Sequence, residues 1–148
     1  MSDRVCHVVD LGRMDHAEAE RLQEQLLARR RAGEAPDTLL LVEHAPVVTI
    51  GSSVDDPADE VNVELLESAG AEVRQVSRGG RATFHGLGQI VGYPILDLRE
   101  HRRDLHWYLR ALEQVIVGAL RDLGFGAGRV EGLTGVWVGD RKVASIGI

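Results

Sequence analysis

The sequence predicts an α+β fold, a mixed or antiparallel sheet with helices packed on it. Three observations predict it. Short apolar, β-branched runs outnumber the amphipathic stretches. The two kinds do not alternate regularly, as a doubly wound parallel sheet would require. Apolar residues make up 44% and charged residues 27% of the 148, which suits a globular chain with a core of its own. The length fits one domain, residues 1–148.

The first strand expected is Val5 to Leu11, ended by Gly12. Asp15 is the expected N-cap of a helix running to Arg31, with Glu18 three residues on completing a capping box. Ala17, Ala19, Leu22 and Leu26 share one face of it, and Gly33 stops it. Thr38 to Glu43 reads as a buried strand. Ala45-Pro46 breaks it, and Val47 to Ile50 resumes. Gly51 to Asp59 is loop-like, and Asp55, Asp56, Asp59 and Glu60 read as a solvated acidic stretch.

Asn62 to Ala69 reads as a short helix and Val73 to Val76 as a strand. Gly79 to Gly88 is a glycine-rich loop. Gln89 to Leu96 is a strand whose Pro94 suggests an edge or an irregular end. Asp104 to Leu123 is the clearest helix. Its stripe is Leu105, Leu109, Leu112, Ile116, Ala119 and Leu123, with Asp104 as N-cap and Gly124 at C′. Val136 to Val138 and Lys142 to Ile148 flank a Gly139-Asp140 turn and read as a hairpin.

Composition excludes several function classes. A net charge of −6 argues against a nucleic-acid surface. No apolar run reaches the ~18 residues of a membrane helix. MSDRVCHVVDL does not read as a secretory signal. Cys6 is the one cysteine, which excludes an internal disulfide and a cysteine-based zinc cluster and fits a reducing cytosol. No pair of His, Asp or Glu has a recognisable metal-ligand spacing.

Chemistry concentrates in Ser77 to Pro94, SRGGRATFHGLGQIVGYP. Gly79, Gly80, Gly86 and Gly88 allow main-chain N–H groups to converge on an oxygen-rich ligand. Arg78 adds a fixed charge with five donors, and Thr83 and His85 add short polar side chains. The alternative is a polar surface loop between strands. The segment is neither a P-loop nor a dinucleotide fingerprint, because its G-x-G precedes a strand. Lys142 reads either as a solvated hairpin residue or as a pocket lysine that favours a neighbouring thiolate. His44, in the EHAP break, reads as a structural hydrogen-bond partner, and His101 and His106 as solvated. His85 is the histidine favoured for function. Trp107, Tyr108 and Trp137 read as core or interface residues.

RGGRATFHGLGQIVGYPI closely resembles the lipoyl(octanoyl) transferase family, the octanoyl-carrier-protein:protein N-octanoyltransferases. The family pattern R-G-G-x-x-T-x-H-G-P-G-Q-x-V-x-Y-P is met at Arg78, Gly79, Gly80, Thr83, His85, Gly86, Gly88, Gln89, Val91, Tyr93 and Pro94. LLLVEHAPVVTIG and GVWVGDRKVASIGI resemble two further family segments, in the right order.

The resemblance implies the fold of biotin and lipoate protein ligases, the class II aminoacyl-tRNA synthetase/biotin synthetase-like architecture. It implies an acyltransferase that takes octanoyl from acyl carrier protein onto a cysteine and passes it to a lipoyl-domain lysine. The acceptors are 2-oxoacid dehydrogenases and the glycine-cleavage H protein. It implies that Arg78, Gly79, Gly80, Arg81, Ala82, Thr83, Phe84 and His85 line the acyl pocket, that Ser145, Ile146 and Gly147 continue it, and that Lys142 lowers the pKa of the cysteine. No cofactor, metal, nucleic acid or membrane is expected, and the setting is cytoplasmic.

Leu87 stands where the family usually has proline. The family's nucleophilic cysteine lies beyond K-[IV]-A-[SA]-I-G, where these 148 residues end. Cys6 matches no family nucleophile. The expectation is therefore one catalytic-type domain lacking its C-terminal part. Two alternatives are a lipoate or biotin ligase relative that works through an adenylate, and a non-catalytic acyl or lipoyl-domain binding module if 148 residues is the natural length.

Overall fold

The computed structural model describes residues 4–148. They divide into two compact units, one ending at Asp97 and the other Leu98–Ile148. The architecture is α+β with mixed sheets, as expected from strands outnumbering helices. Among the described residues no helix is long and apolar enough to cross a membrane.

In the first unit, β1 (Cys6–Arg13) pairs parallel with β2 (Asp37–Glu43), and β6 (Val91–Ile95) pairs antiparallel on the other side of β2. The run DTLLLVE suits this central position, with Leu40 and Val42 buried. Pro94 lies on β6, an outer strand of this sheet, where its missing N–H costs no ladder bond on the open side. His44 to Pro46 carries the chain out of β2 into a second sheet. There β3 (Val47–Ile50) sits between parallel β4 (Glu72–Gln75) and antiparallel β5 (Ala82–His85). All four residues of β3 are buried, and Val48, Ile50 and Val54 form the core cluster beneath.

Strand β5 corrects the expectation of an unbroken loop from Gly79 to Gly88. Ala-Thr-Phe-His carries good strand formers, and pairing with β3 (Val48 opposite Phe84, Thr49 opposite Thr83) outweighs the glycines at either end. A second correction concerns α1 (His16–Arg31). Asp15 holds the N-cap position with extended backbone, but its side chain makes no capping bond, so the capping box does not form. The far end of α1 is tied instead by Arg30, whose Nε donates to Asp37 Oδ1 at 2.8 Å, both side chains being nearly buried.

A 3-10 turn at Pro57–Asp59, capped by Asp56, leads to α2 (Val63–Ser68), where Asn62 Oδ1 accepts from Leu65 N at 2.9 Å. Glu60 is not simply a solvated acid. Arg81 Nε donates to both its carboxylate oxygens at 3.0 Å, and the pair holds its pKa below the usual carboxylate range.

In the second unit, α3 (Leu105–Asp122) starts at Asp104, whose Oδ1 accepts from Trp107 N at 2.9 Å, and ends at Gly124 with φ +88°. β7 (Ala127–Gly128), β8 (Val136–Val138) and β9 (Arg141–Ala144) form an antiparallel sheet. The expected stripe of α3 is corrected. Its buried residues are Glu113 and Val117, with Ile116 and Leu120 packed beside them, while Leu105 and Leu123 are largely exposed. An 18-residue helix spans about 27 Å, whereas a four-residue strand covers only about 13 Å. The sheet therefore covers only the middle of the helix. The hairpin turns at Gly139-Asp140 as expected, but its second strand ends at Ala144, not Ile148.

Candidate functional site

The expected site residues fall in both units: Arg78 to His85 in the first, Lys142 to Gly147 in the second. In the first, the loop is built around Arg78 and Thr49. Thr49 is buried in β3. Arg78 Nη2 donates to the Thr49 carbonyl O at 2.8 Å and to Thr49 Oγ1 at 2.7 Å, and Nη1 donates to the Gly79 carbonyl at 3.0 Å. Burial lowers the Arg78 pKa from its ordinary value, yet a guanidinium stays charged at neutral pH. Arg78 is thus the staple of the loop, not a charge waiting in open solvent.

Gly51 makes this closeness possible. Its N–H donates to the Arg81 carbonyl at 3.1 Å, and the next N–H, of Ser52, donates to the Arg78 carbonyl at 2.9 Å. A Cβ at Gly51 would lie 2.3 Å from the Gly80 carbonyl oxygen, so only glycine lets the two segments meet.

His85, at the end of β5, is half-buried. Gln89 Nε2 donates to the Phe84 carbonyl at 3.2 Å, which turns Gln89 Oε1 toward His85. Oε1 can only accept, so His85 Nδ1 carries the hydrogen, at 2.7 Å. Its Nε2 faces Thr49 Oγ1 at 3.4 Å. Burial pushes the His85 pKa down, Gln89 partly opposes this, and His44 and Arg78 push it further down. Phe84, Leu87 and Ile90 are exposed around it.

Behind the loop lie residues whose grouping the sequence did not disclose. His44 is buried, its Nδ1 donating to the Met14 carbonyl at 2.8 Å. In the neutral ring Nε2 then accepts from the Tyr93 hydroxyl at 2.9 Å. This matches the structural role expected of His44. Burial pushes the Tyr93 pKa up to about 12. His16, the first residue of α1, joins them, with ring centroids 5.2 Å from His44 and 6.4 Å from His85. Its Nδ1 is buried without a hydrogen-bond partner among the described residues. Burial first, then His44, lower its pKa to about 4. Positions 16, 44, 85 and 93 share no spacing a sequence could reveal. Thr49 did leave a signal, as the one hydroxyl in a strand otherwise made of Val, Val and Ile.

In the second unit Lys142 is exposed and lies opposite Trp137 in the β8–β9 register, with Nζ 5.4 Å from the Trp137 ring centroid. Trp137 is half-buried in this contact, and Trp107 is exposed instead of packed into a core. Ser145, Ile146 and Gly147 follow β9 without regular structure, Ile146 half-buried and the other two exposed. Cys6 is exposed on β1. His101 and His106 are exposed. Among the described residues no group of three or more His, Cys, Asp or Glu is arranged to hold a metal ion.

The family model described as the lipoyl protein ligase A/B catalytic domain matches residues 15–148, through both units. The chain belongs to that family. Among curated relatives, the octanoyltransferase of Solibacter usitatus is 50% identical over 98% of this chain and 66% of its own length. That of Gloeobacter violaceus is 47% identical over 97% of this chain and 63% of its own. The chain thus spans a little under two thirds of the length of the relatives it matches. Among solved structures, a bi-partite lipoate protein ligase from Thermoplasma acidophilum, studied with its E2 lipoyl domain, superposes with a TM-score of 0.73. It is 21% identical and covers 93% of this chain and 52% of its own. A lipoate-protein ligase A bound with ATP gives 0.69 at 19% identity, over 93% of this chain and 57% of its own. At these identities the likeness establishes the fold alone, the lipoate ligase-like fold.

Proposed function

We propose that this chain carries the acyl-binding loop and the functional lysine of an octanoyltransferase. The reaction moves octanoyl from acyl carrier protein to a lysine of lipoyl domains, those of 2-oxoacid dehydrogenases and the glycine-cleavage H protein, in the cytoplasm. Both units belong to one catalytic-type domain, a reading supported by the family match running through them. The observation that carries the proposal is the octanoyltransferase relative at 50% identity over 98% of the chain. The geometry supports it too. Arg78 to His85 is held against β3 by strand pairing and by the Arg78–Thr49 hydrogen bonds, the fixed arrangement an acyl pocket wall requires.

The chemistry proceeds in two displacements. A thiolate attacks the thioester carbonyl of octanoyl-carrier protein and expels the carrier thiol. An amine then attacks the new thioester, loses a proton to a base and expels the thiolate. The first step needs the deprotonated sulfur, which a nearby ammonium favours, and that is the role assigned to Lys142. Arg78 to His85 line the C8 chain, where each buried CH₂ contributes about 0.8 kcal/mol.

Mass spectrometry of the complete protein incubated with octanoyl-carrier protein tests the reading. An octanoyl adduct on a cysteine, passed on to a lipoyl domain, is the expected result, and Lys142→Ala abolishes transfer while leaving the melting temperature unchanged. Wild-type transfer by that variant removes Lys142 from its role. ATP-dependent adenylate formation points to a ligase instead. Lipoyl-domain binding without any adduct points to a binding module.

A further inference from the structure

Glu113 is a carboxylate with no exposed surface, in the middle of a helix face that is otherwise apolar. Leaving such a charge unpaired would be costly, so its partners matter. Arg110 Nη1 donates to Oε1 at 2.9 Å and to Oε2 at 2.7 Å, and Arg129 Nη1 lies 4.0 Å from Oε2. The remaining partner is main chain: Gly135 N–H donates to Oε1 at 2.9 Å. Burial pushes the Glu113 pKa up, but Gly135 and Arg110 outweigh it and hold the group below the usual carboxylate range, so it is a carboxylate at neutral pH.

Gly135 in turn lies against Lys142. Its backbone has φ +129°, and a Cβ there would lie 2.5 Å from Lys142 Cε, 3.3 Å from Lys142 Nζ and 2.5 Å from the Ala144 carbonyl oxygen. The stem of Lys142 therefore crosses the bare face of Gly135. The next residue, Val136, is fully buried in the core, and the one after it, Trp137, faces the ammonium. Trp137 lies opposite Lys142, and a register shift between Val136 and Trp137 places Val136 opposite Ala144 instead of Val143.

We propose that Glu113 is a positioning residue for Lys142, acting through Gly135: the buried carboxylate clamps the Gly135 N–H, and the clamped glycine forms the floor on which the lysine stem lies. The inference rests on the role of Lys142 proposed above. Trp137 forms the far wall. The clamp restricts the ammonium to one path along the strand, and a displacement of about 1 Å at such a group can lower turnover a hundredfold.

The test uses the complete protein and two readouts: octanoyl transfer, and the rate at which iodoacetamide alkylates the nucleophilic thiol as a function of pH. Glu113→Gln weakens the clamp, because a neutral amide oxygen replaces the charged acceptor of the Gly135 N–H and Arg110 loses its ionic partner. It is expected to slow transfer roughly ten- to a hundred-fold through kcat, with KM within a factor of two, and to move the alkylation profile to higher pH. In a Lys142→Ala background the same change adds no further shift to the alkylation profile. A shift of equal size in both backgrounds, or none in either, overturns the positioning role. Should Glu113→Gln fail to fold, Arg110→Gln, made at a partly exposed side chain, decides by the same pair of backgrounds. If Lys142→Ala alone leaves both readouts at wild-type values, the assignment of Lys142 falls. If it abolishes transfer while Glu113→Gln behaves additively, only the positioning inference falls.

Discussion

Arg78 and Thr49 meet through both oxygens of the threonine: one guanidinium nitrogen, Nη2, donates to the main-chain carbonyl and to Oγ1 of the same residue. The contact joins a glycine-rich loop to the central strand of its sheet, and Thr49 Oγ1 also faces His85 Nε2. One hydroxyl thus holds two polar side chains of the loop, Arg78 and His85, in one arrangement.

Thr49→Val tests this joint. The shape is kept and the hydroxyl lost, leaving the partly buried guanidinium short of one acceptor. The expected destabilisation is about 1–3 kcal/mol, read as a lower urea midpoint at an unchanged slope. In the complete protein, transfer falls mainly through a raised KM for the acyl donor. An unchanged midpoint and KM would mean that Arg78 holds the loop through the Thr49 carbonyl alone.

Gly51→Ala tests the close approach on the other side of the loop. The added methyl would sit 2.3 Å from the Gly80 carbonyl oxygen and 2.9 Å from Arg78 Nη1. Main chain cannot swing aside as a flexible side chain can, so the loop must lift from β3. The expected cost is about 1–3 kcal/mol together with weaker acyl-donor binding. Gly12→Ala provides no such contact, since open space surrounds that position, and it separates crowding from backbone strain.

The histidine cluster predicts acid sensitivity. The folded-state pKa of His16 is lowered from 6.5 to about 4, so the folded protein binds its proton less readily than the unfolded chain. The stability associated with His16 is full above pH 6.5 and is lost as pH falls through the window from about 6.5 to about 4. His85, also lowered, acts in the same direction. His16→Phe removes one titrating group and keeps an aromatic ring. Urea midpoints measured from pH 7.5 to 4.5 should therefore fall less steeply in the variant. Parallel curves for the two proteins would show that His16 does not titrate in this window.

Much of the fold was legible in local pattern. The strand at Val47 to Ile50, the helix ends at Asp104 and Gly124, and the Gly139-Asp140 turn follow from residue types acting over a few positions. Arg78 to His85 stood out by glycines and charged groups concentrated in one short segment, whereas Lys142 to Gly147 was singled out by the resemblance to the octanoyltransferase family. Glu113 left a trace too, a lone carboxylate between Leu112 and Ile116 on an apolar face.

By itself the sequence determined the fold class, the order of its elements and the segments that carry chemistry, since propensity, capping and periodicity are local. Only the tertiary structure decided that Ala82 to His85 is a strand, which face of α3 is buried, and how the polar side chains are joined. Arg78 finds Thr49 across 29 residues, His16 finds His44 and His85, and Glu113 finds Gly135 across 22. Such pairings are selected by which buried polar groups can satisfy one another once the sheets have assembled. Sequence separation carries no record of that choice.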